Sequence, residues 1–326
     1  MATIVDVAEH AGVSIKTVSR VINGTHVRES TRAKVLAAMT ELDYVPSIYA
    51  RGMAGQRNWI IGVYRCNTSF FSEDLKFYTK TLDGFEQHLA GTGYRLLLDS
   101  ACWRNYESGL NALSRQVDGV LMLDAPNEQE RKDLYKLIDK VPLVTIGQRQ
   151  VEGKSTYAIG IDNCASVSLA VKHLFQTGHA NIGLIVEGEK DEHYRDRIMG
   201  YNQAAEELGL LRKHVTIIPA GPEQLQGLRL WLEAPDRPAA VVVSEERTAM
   251  GLLQVANSMG VSIPGDLEVI TYEDTYAAKP AFTLLRRHDL MHGKGAAQML
   301  LQLINGEPVS PKVHLMPAEL VLRTSG

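Results

Sequence analysis

The sequence predicts a small all-α head followed by an α/β core of two lobes, each built on a doubly wound parallel sheet. Three observations carry this expectation. The first 45 or so residues hold short helical patterns and no strand signal. From Trp59 onward, apolar runs of five to seven residues alternate with amphipathic stretches. Those runs are continuous rather than alternating, as expected of parallel strands covered by helices on both faces.

The head opens with Thr3, which can cap a first helix, and Asp6 stands in the capping-box position. Val5, Val7 and Ala8 are expected on the buried side of that helix. Gly12 follows, where the chain can adopt the positive φ that ends a helix. Ser14 then caps a second helix, Ile15 to Asn23, closed by Gly24. Its Val18, Val21 and Ile22 point inward, leaving Ile15, Lys16, Thr17, Ser19 and Arg20 outside. A third helix is expected from Glu29 to Asp43, with Val35, Leu36, Met39 and Leu42 at helical spacing. Two short helices joined by a tight glycine turn form a helix-turn-helix, whose second helix lies in the DNA major groove. The alternative is a helical bundle that serves packing alone; the turn, both caps and the polar outer face together weigh against it.

In the core, the first set of runs is Trp59–Tyr64, Tyr94–Asp99, Gly119–Asp124 and Pro142–Gly147. The second is Ile182–Val186, Val215–Ile218, Ala240–Ser244 and Glu268–Tyr272. Leu75, Tyr78, Leu82, Phe85 and Leu89 mark a helix stopped by Gly91 and Gly93, and Val167, Ala170, Val171 and Leu174 mark another before Gly178. The resulting βαβ series breaks near residue 160 into two similar halves, giving two lobes with a cleft between them. Ligands of such sheets bind beyond the carboxyl ends of the strands.

Bulk properties narrow the class. The chain has 326 residues, 45% hydrophobic and 22% charged, with a formal charge of −4, so it is an ordinary globular protein and not a polycation. Residues 1–57 carry seven Lys/Arg against five Asp/Glu, a surplus of two positive charges, and the rest sums to −6. No apolar run approaches the ~20 residues of a membrane span. The N-terminus lacks a signal-peptide layout, and Cys66, Cys102 and Cys164 stand far apart without a CxxC pair. A disulfide scaffold and a cysteine zinc site are therefore not expected, and the reading is cytoplasmic.

Asp6–Ser14, Thr17–Asn23, Thr31-Arg32, Leu42–Ser47 and Ala50-Arg51 resemble the head of the lactose-repressor (LacI/GalR) family of bacterial transcription regulators. Val117–Val120, Asp162-Asn163, Leu174 with Gly178-His179 and Ile182, Arg197–Tyr201, Ile263–Asp266 and Leu320–Arg323 extend the resemblance over nearly the whole chain. It implies a helix-turn-helix domain at 1–46, a hinge helix at 47–57 and a periplasmic-binding-protein-like core at 58–326. Within the core the implied N-lobe is 58–160 plus 291–319, and the C-lobe is 161–290 plus 320–326.

The resemblance also implies roles. Ile15 and Lys16 open the recognition helix over base edges, with Arg20 one turn on. Thr17, Ser19 and the main chain near Asn23 suit phosphate contacts, which position without specifying, and Thr3 and Ser14 are candidate DNA-binding residues beside them. The alternative for each is solvated helix surface. Tyr49 and Met53 fall in the hinge helix, where Met53 replaces the family's leucine wedge for the minor groove. Gly52 weakens helix propensity, so this hinge is expected to fold only on DNA. A homodimer on a pseudo-palindromic operator follows from protein two-fold symmetry.

Candidate effector residues lie at strand ends: Phe70 and Phe71 after the first strand, Asp124 ending the third, His193 and Arg197 in one loop, Glu245 after Val243, and Glu273 after Tyr272. Carboxylates paired with a guanidinium can bridge adjacent hydroxyls, so a sugar or sugar derivative is the leading effector class. The alternative is a corepressor-dependent regulator that answers a non-sugar metabolite such as a nucleobase or amine. For each acid a helix cap or a solvated strand end is the competing role. Effector binding is expected to change operator affinity by shifting the lobes, with the sign of the change open.

An enzyme is not expected. The chain has no GxSxG elbow, P-loop or GxGxxG after a strand, and Gly293-Lys294-Gly295 lacks phosphate-loop spacing. His288 and His292 are four apart, but Asp289 stands where a metalloprotease motif needs glutamate and no third ligand is evident, so no metal or cofactor is assigned. A periplasmic sugar-binding protein would share the two lobes but not the head.

Overall fold

The computed structural model describes residues 2–22, 26–44, 57–64, 75–98, 116–123, 140–147, 150–151, 154–189, 191–210, 212–272 and 282–322. In the head, α1 (Ile4–Ala11), α2 (Ile15–Ile22) and α3 (Glu29–Glu41) enclose Val7, Ala8, Val18, Val21, Val35 and Ala38. The capping box is formed. The Thr3 amide and hydroxyl donate to Asp6 Oδ2 at 2.7 and 2.8 Å, and the Asp6 amide donates to Thr3 Oγ1 at 3.4 Å. These bonds to the ionised form hold the Asp6 carboxyl below its ordinary range. Gly12 adopts φ 64°, ψ 36°, and its amide donates to the Ala8 and Glu9 carbonyls, which turns the chain into α2. At the far ends, His10 Nε2 meets Glu41 Oε2 at 2.6 Å and ties α1 to α3.

Two expectations for the head core are corrected. Val5 is 43% and Leu36 46% exposed. Each adjoins a residue that does face the core along its helix (Ile4 and Val35), and the ~100° turn per residue carries the next side chain outward. The third helix ends at Glu41, two residues before the expected Asp43.

The core holds two six-stranded sheets. The first contains β1 (Ile60–Tyr64), β2 (Arg95–Leu98), β3 (Gly119–Met122), β4 (Leu143–Ile146), β7 (Tyr157–Ile161) and β13 (Val313–Met316), in the order β13-β7-β4-β3-β1-β2, all parallel. The second contains β8 (Ile182–Val186), β9 (His214–Ile217), β10 (Ala240–Val243), β11 (Glu268–Tyr272), β12 (Thr283–Arg286) and β14 (Glu319–Val321). Its order is β14-β12-β11-β10-β8-β9, and only β14 runs antiparallel. A short hairpin pairs β5 (Gln150–Val151) with β6 (Lys154–Ser155).

The eight apolar runs all lie in these sheets. Four further strands, β7, β12, β13 and β14, were not among them, because Gly160, His314 and the short Leu284–Leu285 core break or curtail the apolar signal. Central strands are buried throughout, as in β8 and β10, whereas edge strands β2, β9 and β13 are partly exposed. In β10, Ala240 and Val242 face α5 (Asn163–Gln176) and α6 (Glu192–Glu207), while Val241 and Val243 face α7 (Gln224–Glu233) and α8 (Glu246–Met259). Two-faced burial of this kind is what a continuous apolar run encodes. In the first lobe, α4 (Leu75–Leu89) packs against α9 (Asp289–Asn305) over one face of the sheet.

The chain passes between the lobes three times: from β7 into α5, from β12 into α9, and from β13 into β14. Each strand is left at its carboxyl end, and α5 and α9 each begin at the carboxyl end of the sheet they join. The carboxyl ends of both sheets therefore meet at the crossings, and the polar groups there face a common cleft. Ser166 joins two of the crossings: its hydroxyl donates to the Asp162 carbonyl at 2.5 Å and accepts the Ala318 amide at 2.8 Å. The amino ends of the first sheet, where residues 57–59 enter it, lie at the opposite end of that lobe.

Candidate effector and nucleic-acid sites

At the carboxyl ends of the second sheet, Arg197 is buried, 4% exposed, on the second turn of α6. Its Nε donates to Asn163 Oδ1 at 3.0 Å, and its Nη1 donates to the Ser244 carbonyl at 2.9 Å and to Glu245 Oε1 at 2.5 Å. The guanidinium stacks 4.3 Å from the Tyr272 ring centroid and 5.8 Å from that of Tyr194. Burial opposes the charge, but Glu245 first, then Tyr272, more than restores it, so the arginine stays ionised. Its side chain is 5% exposed and that of Glu245 27%. The pair is thus charge-balanced inside the wall, with a carboxylate edge open to the cleft.

Gly200 explains how Arg197 reaches this place. A Cβ at Gly200 would collide with the Cys164 carbonyl oxygen, so α6 rests backbone to backbone on α5 one turn beyond the arginine. Only that approach brings Arg197 within bonding distance of Asn163 at the start of α5. Asp162 holds that start by accepting the Ala165 amide at 2.8 Å.

His193 lies in the first turn of α6 rather than in a loop, half-buried with its ring 4.0 Å from Tyr194. Burial, then the Arg197 charge, pushes its pKa down to about 3, so it is a neutral donor and acceptor at ordinary pH. Burial, then Glu245, pushes the Tyr194 phenol up. Tyr272 is buried, and its hydroxyl has no hydrogen-bond partner among the described residues.

The structure therefore gathers Arg197, Glu245 and His193. Phe70, Phe71, Asp124 and Glu273 lie outside the described residues. Asn163, Tyr194, Tyr272 and the Ser244 carbonyl belong to the same cluster but were not expected in it. Tyr194 could have been found three residues before Arg197, on the same helix face; the other contacts arise only from tertiary packing.

Elsewhere in the core, His288 caps α9 and its carbonyl accepts the His292 amide at 2.9 Å. His292 is 1% exposed, with neither ring nitrogen hydrogen-bonded among the described residues. Burial, then Arg287 and His288, pushes its pKa down to about 4. Among the described residues no group of three His, Cys, Asp or Glu could hold a metal ion. The unfolded chain takes up protons at His193 and His292 near pH 6.5, whereas the native chain refuses them until about pH 3 and 4. Stability is therefore expected to fall as pH drops below 6.5. Denaturant midpoints at pH 7.5 and 5 should show this, and His292→Leu should lessen the loss.

In the head, Ile15 (48% exposed), Lys16 and Arg20 stand on the outer face of α2, with Val18 and Val21 inward. Ser14 accepts the Thr17 amide at 3.2 Å and shares a 2.9 Å hydroxyl bond with Thr17, fixing the start of α2. Ser19 is half-buried. The Thr3 amide and hydroxyl are both engaged with Asp6, so a phosphate contact by Thr3 would compete with its cap. Asn23, Tyr49 and Met53 lie outside the described residues, as does the hinge as far as residue 56.

A helix-turn-helix head on a core with a polar interlobe wall defines a ligand-responsive, DNA-binding transcriptional regulator. Residues 3–47 match the model of bacterial regulatory proteins of the lacI family, and residues 171–326 match the periplasmic binding protein-like domain. The HTH-type transcriptional repressor PurR of Photobacterium profundum is 31% identical over 100% of this chain and 98% of its own. Catabolite control protein A of Priestia megaterium is 28% identical over 99% and 98%. Among solved structures, the lac repressor dimer bound to operator and the anti-inducer ONPF has a TM-score of 0.77 at 25% identity, covering 99% and 98%. The transcriptional regulator CelR–cellobiose complex has a TM-score of 0.70 at 28% identity, covering all of both chains. The chain belongs to the lacI family of bacterial regulatory proteins. It is a transcriptional repressor with a ligand-binding core, and not an enzyme. No described helix is long and apolar enough to cross a membrane.

Proposed function

We propose that this repressor binds a pseudo-palindromic operator as a homodimer and releases or tightens its grip in response to an uncharged, hydroxyl-rich effector, a sugar or sugar derivative. The observation that carries the effector class is the internal balance of Arg197 by Glu245. A ligand need bring no charge of its own, and an anionic one would have to displace Glu245 or tolerate its repulsion. The exposed edge of Glu245 and neutral His193 offer acceptors and a donor of the kind adjacent hydroxyls need. Phe70, Phe71, Asp124 and Glu273 are assigned to the same site from their strand-end positions. The cellobiose complex of CelR supports the class.

A nucleobase is the second reading, favoured by the relatives named PurR and by the adjoining rings of His193 and Tyr194, against whose outer face a planar ligand can stack. Calorimetry with neutral mono- and disaccharides, sugar phosphates and nucleobases tests both readings. Binding of a neutral sugar that alters operator affinity is expected; binding of sugar phosphates alone would overturn the effector class, and binding of nucleobases alone would select the second reading.

On the DNA side, Ile15, Lys16 and Arg20 read base edges, while Ser14, Thr17, Ser19 and Asn23, with Thr3, position the head on phosphates. Tyr49 and Met53 belong to the minor-groove hinge. Lys16→Ala is expected to lose about 1–3 kcal/mol of discrimination at one position of each half-site. Binding to a set of singly substituted operators should show the loss at that position only; a uniform loss would make Lys16 a phosphate contact.

A further inference from the structure

The six strands of the first sheet all run the same way, so their amino ends share one end of the lobe. The tether from the head enters there. Arg57 donates to the Ile304 carbonyl and Asn305 Oδ1 at 3.3 and 3.0 Å, and the amides of Asn58 and Trp59 donate to Asp118, each at 2.7 Å. Residues 45–56 link this point to the head, and a segment of that length spans at most about 45 Å. Any duplex held by the head is therefore kept close to this end of the core.

The same end carries cations that carboxylates do not neutralise. Arg95, exposed at the start of β2, makes no ion pair among the described residues, and the partners of Arg57 are neutral oxygens. Lys312, exposed just before β13, lies 4.9 Å from the Tyr157 ring centroid and likewise makes no ion pair among the described residues. Beside it, Lys140, Ser155 and Thr156 line an open cavity of about 320 Å³ between β4, β7 and the end of α9. Among the described residues, the carboxylates at this end are Asp118, taken by two main-chain amides, Glu307, and Glu86 in the last turn of α4. Arg57, Arg95, Lys140 and Lys312 outnumber these three carboxylates by one, although residues 58–326 together sum to a net negative charge. With six strands at ~4.8 Å, Lys312 and Arg95 stand about 24 Å apart at opposite edges of the sheet, comparable to the width of a duplex.

We propose that this end of the first lobe is a second DNA-contacting surface, on which Arg57, Arg95 and Lys312 meet the phosphodiester backbone of the DNA that flanks the operator. The inference rests on the operator-binding reading given above. Phosphate contacts of this kind carry no sequence information, add to affinity at low salt and steepen its salt dependence.

The test uses the full chain and two operator fragments, one minimal and one extended by about ten base pairs on each side. Affinity is measured from roughly 50 to 200 mM salt for the wild type and for the Arg95→Gln/Lys312→Gln double variant. The wild type is expected to show a steeper log–log slope on the extended fragment. The double variant should lose about 0.9 of that slope for each phosphate contact removed, equally for strong and weak operators, with an unchanged thermal melt and an unchanged slope on the minimal fragment. Equal wild-type slopes on the two fragments, or a double variant with the wild-type slope on the extended one, would overturn the surface while leaving the repressor reading intact. Failure of the wild type to bind either fragment, both alone and with the neutral sugars and nucleobases of the calorimetric panel, would instead overturn that reading, and the surface with it.

Discussion

Replacing Arg197 with methionine is expected to abolish the effector response and to lower stability by about 2–3 kcal/mol. Breaking a buried ion pair from one side costs about 3–5 kcal/mol when the remaining charge stays dry. Here the remaining charge is Glu245, 27% exposed, so water recovers part of the loss and the lower figure follows. Asn163 Oδ1 and the Ser244 carbonyl also lose their donor. The double substitution Arg197→Met/Glu245→Leu should regain most of the stability, because no charge is then left unpaired, yet should not regain effector binding. Denaturant unfolding and calorimetry on the same samples separate the two effects. Undiminished effector binding by the single variant would remove Arg197 from the site.

Gly200→Val should be at least as severe for folding. The Cys164 carbonyl oxygen, which the new Cβ would strike, belongs to helix backbone and cannot swing aside as a side chain would. Helices α5 and α6 must part to make room, which exposes the layer formed by Val167, Ala170, Val171, Tyr201 and Ala204. A loss of about 3 kcal/mol or more is expected, with weaker effector binding in whatever fraction still folds, since Arg197 moves away from Asn163. Gly209→Ala is the control: its φ of 65° imposes local strain, but nothing lies within 4 Å of the added methyl. A Gly200→Val variant as stable as Gly209→Ala would show that α5 and α6 can separate at little cost.

What the sequence made legible follows from which side chains had a single possible environment. Ile182–Val186 and Ala240–Val243 are apolar at every position because both faces are covered, and at five and four residues they are too short for a buried helix. Thr3, Asp6 and Gly12 act within a few residues of one another, so their cap and turn are local facts. Strands β13 and β14 lie at sheet edges and carry His314 and Glu319, which obscures them. Val5 and Leu36 were misplaced because a short helix on a small core has room for only a narrow apolar stripe. Arg197 could be named from its place in Arg197–Tyr201, but its partners come from three other elements, and no spacing along the chain encodes that Asn163 accepts from its Nε.

The three passages between the lobes have an evolutionary corollary. Neither lobe is one stretch of gene: the first sheet needs β13 from near the end of the chain, and the second takes its last strand only a few codons later. A recombination joint at any single passage would build at least one sheet from strands of two different parents. The head, by contrast, is contiguous and could be exchanged whole. New operators can thus be acquired by shuffling heads, whereas new ligands must be acquired by point changes within an indivisible core.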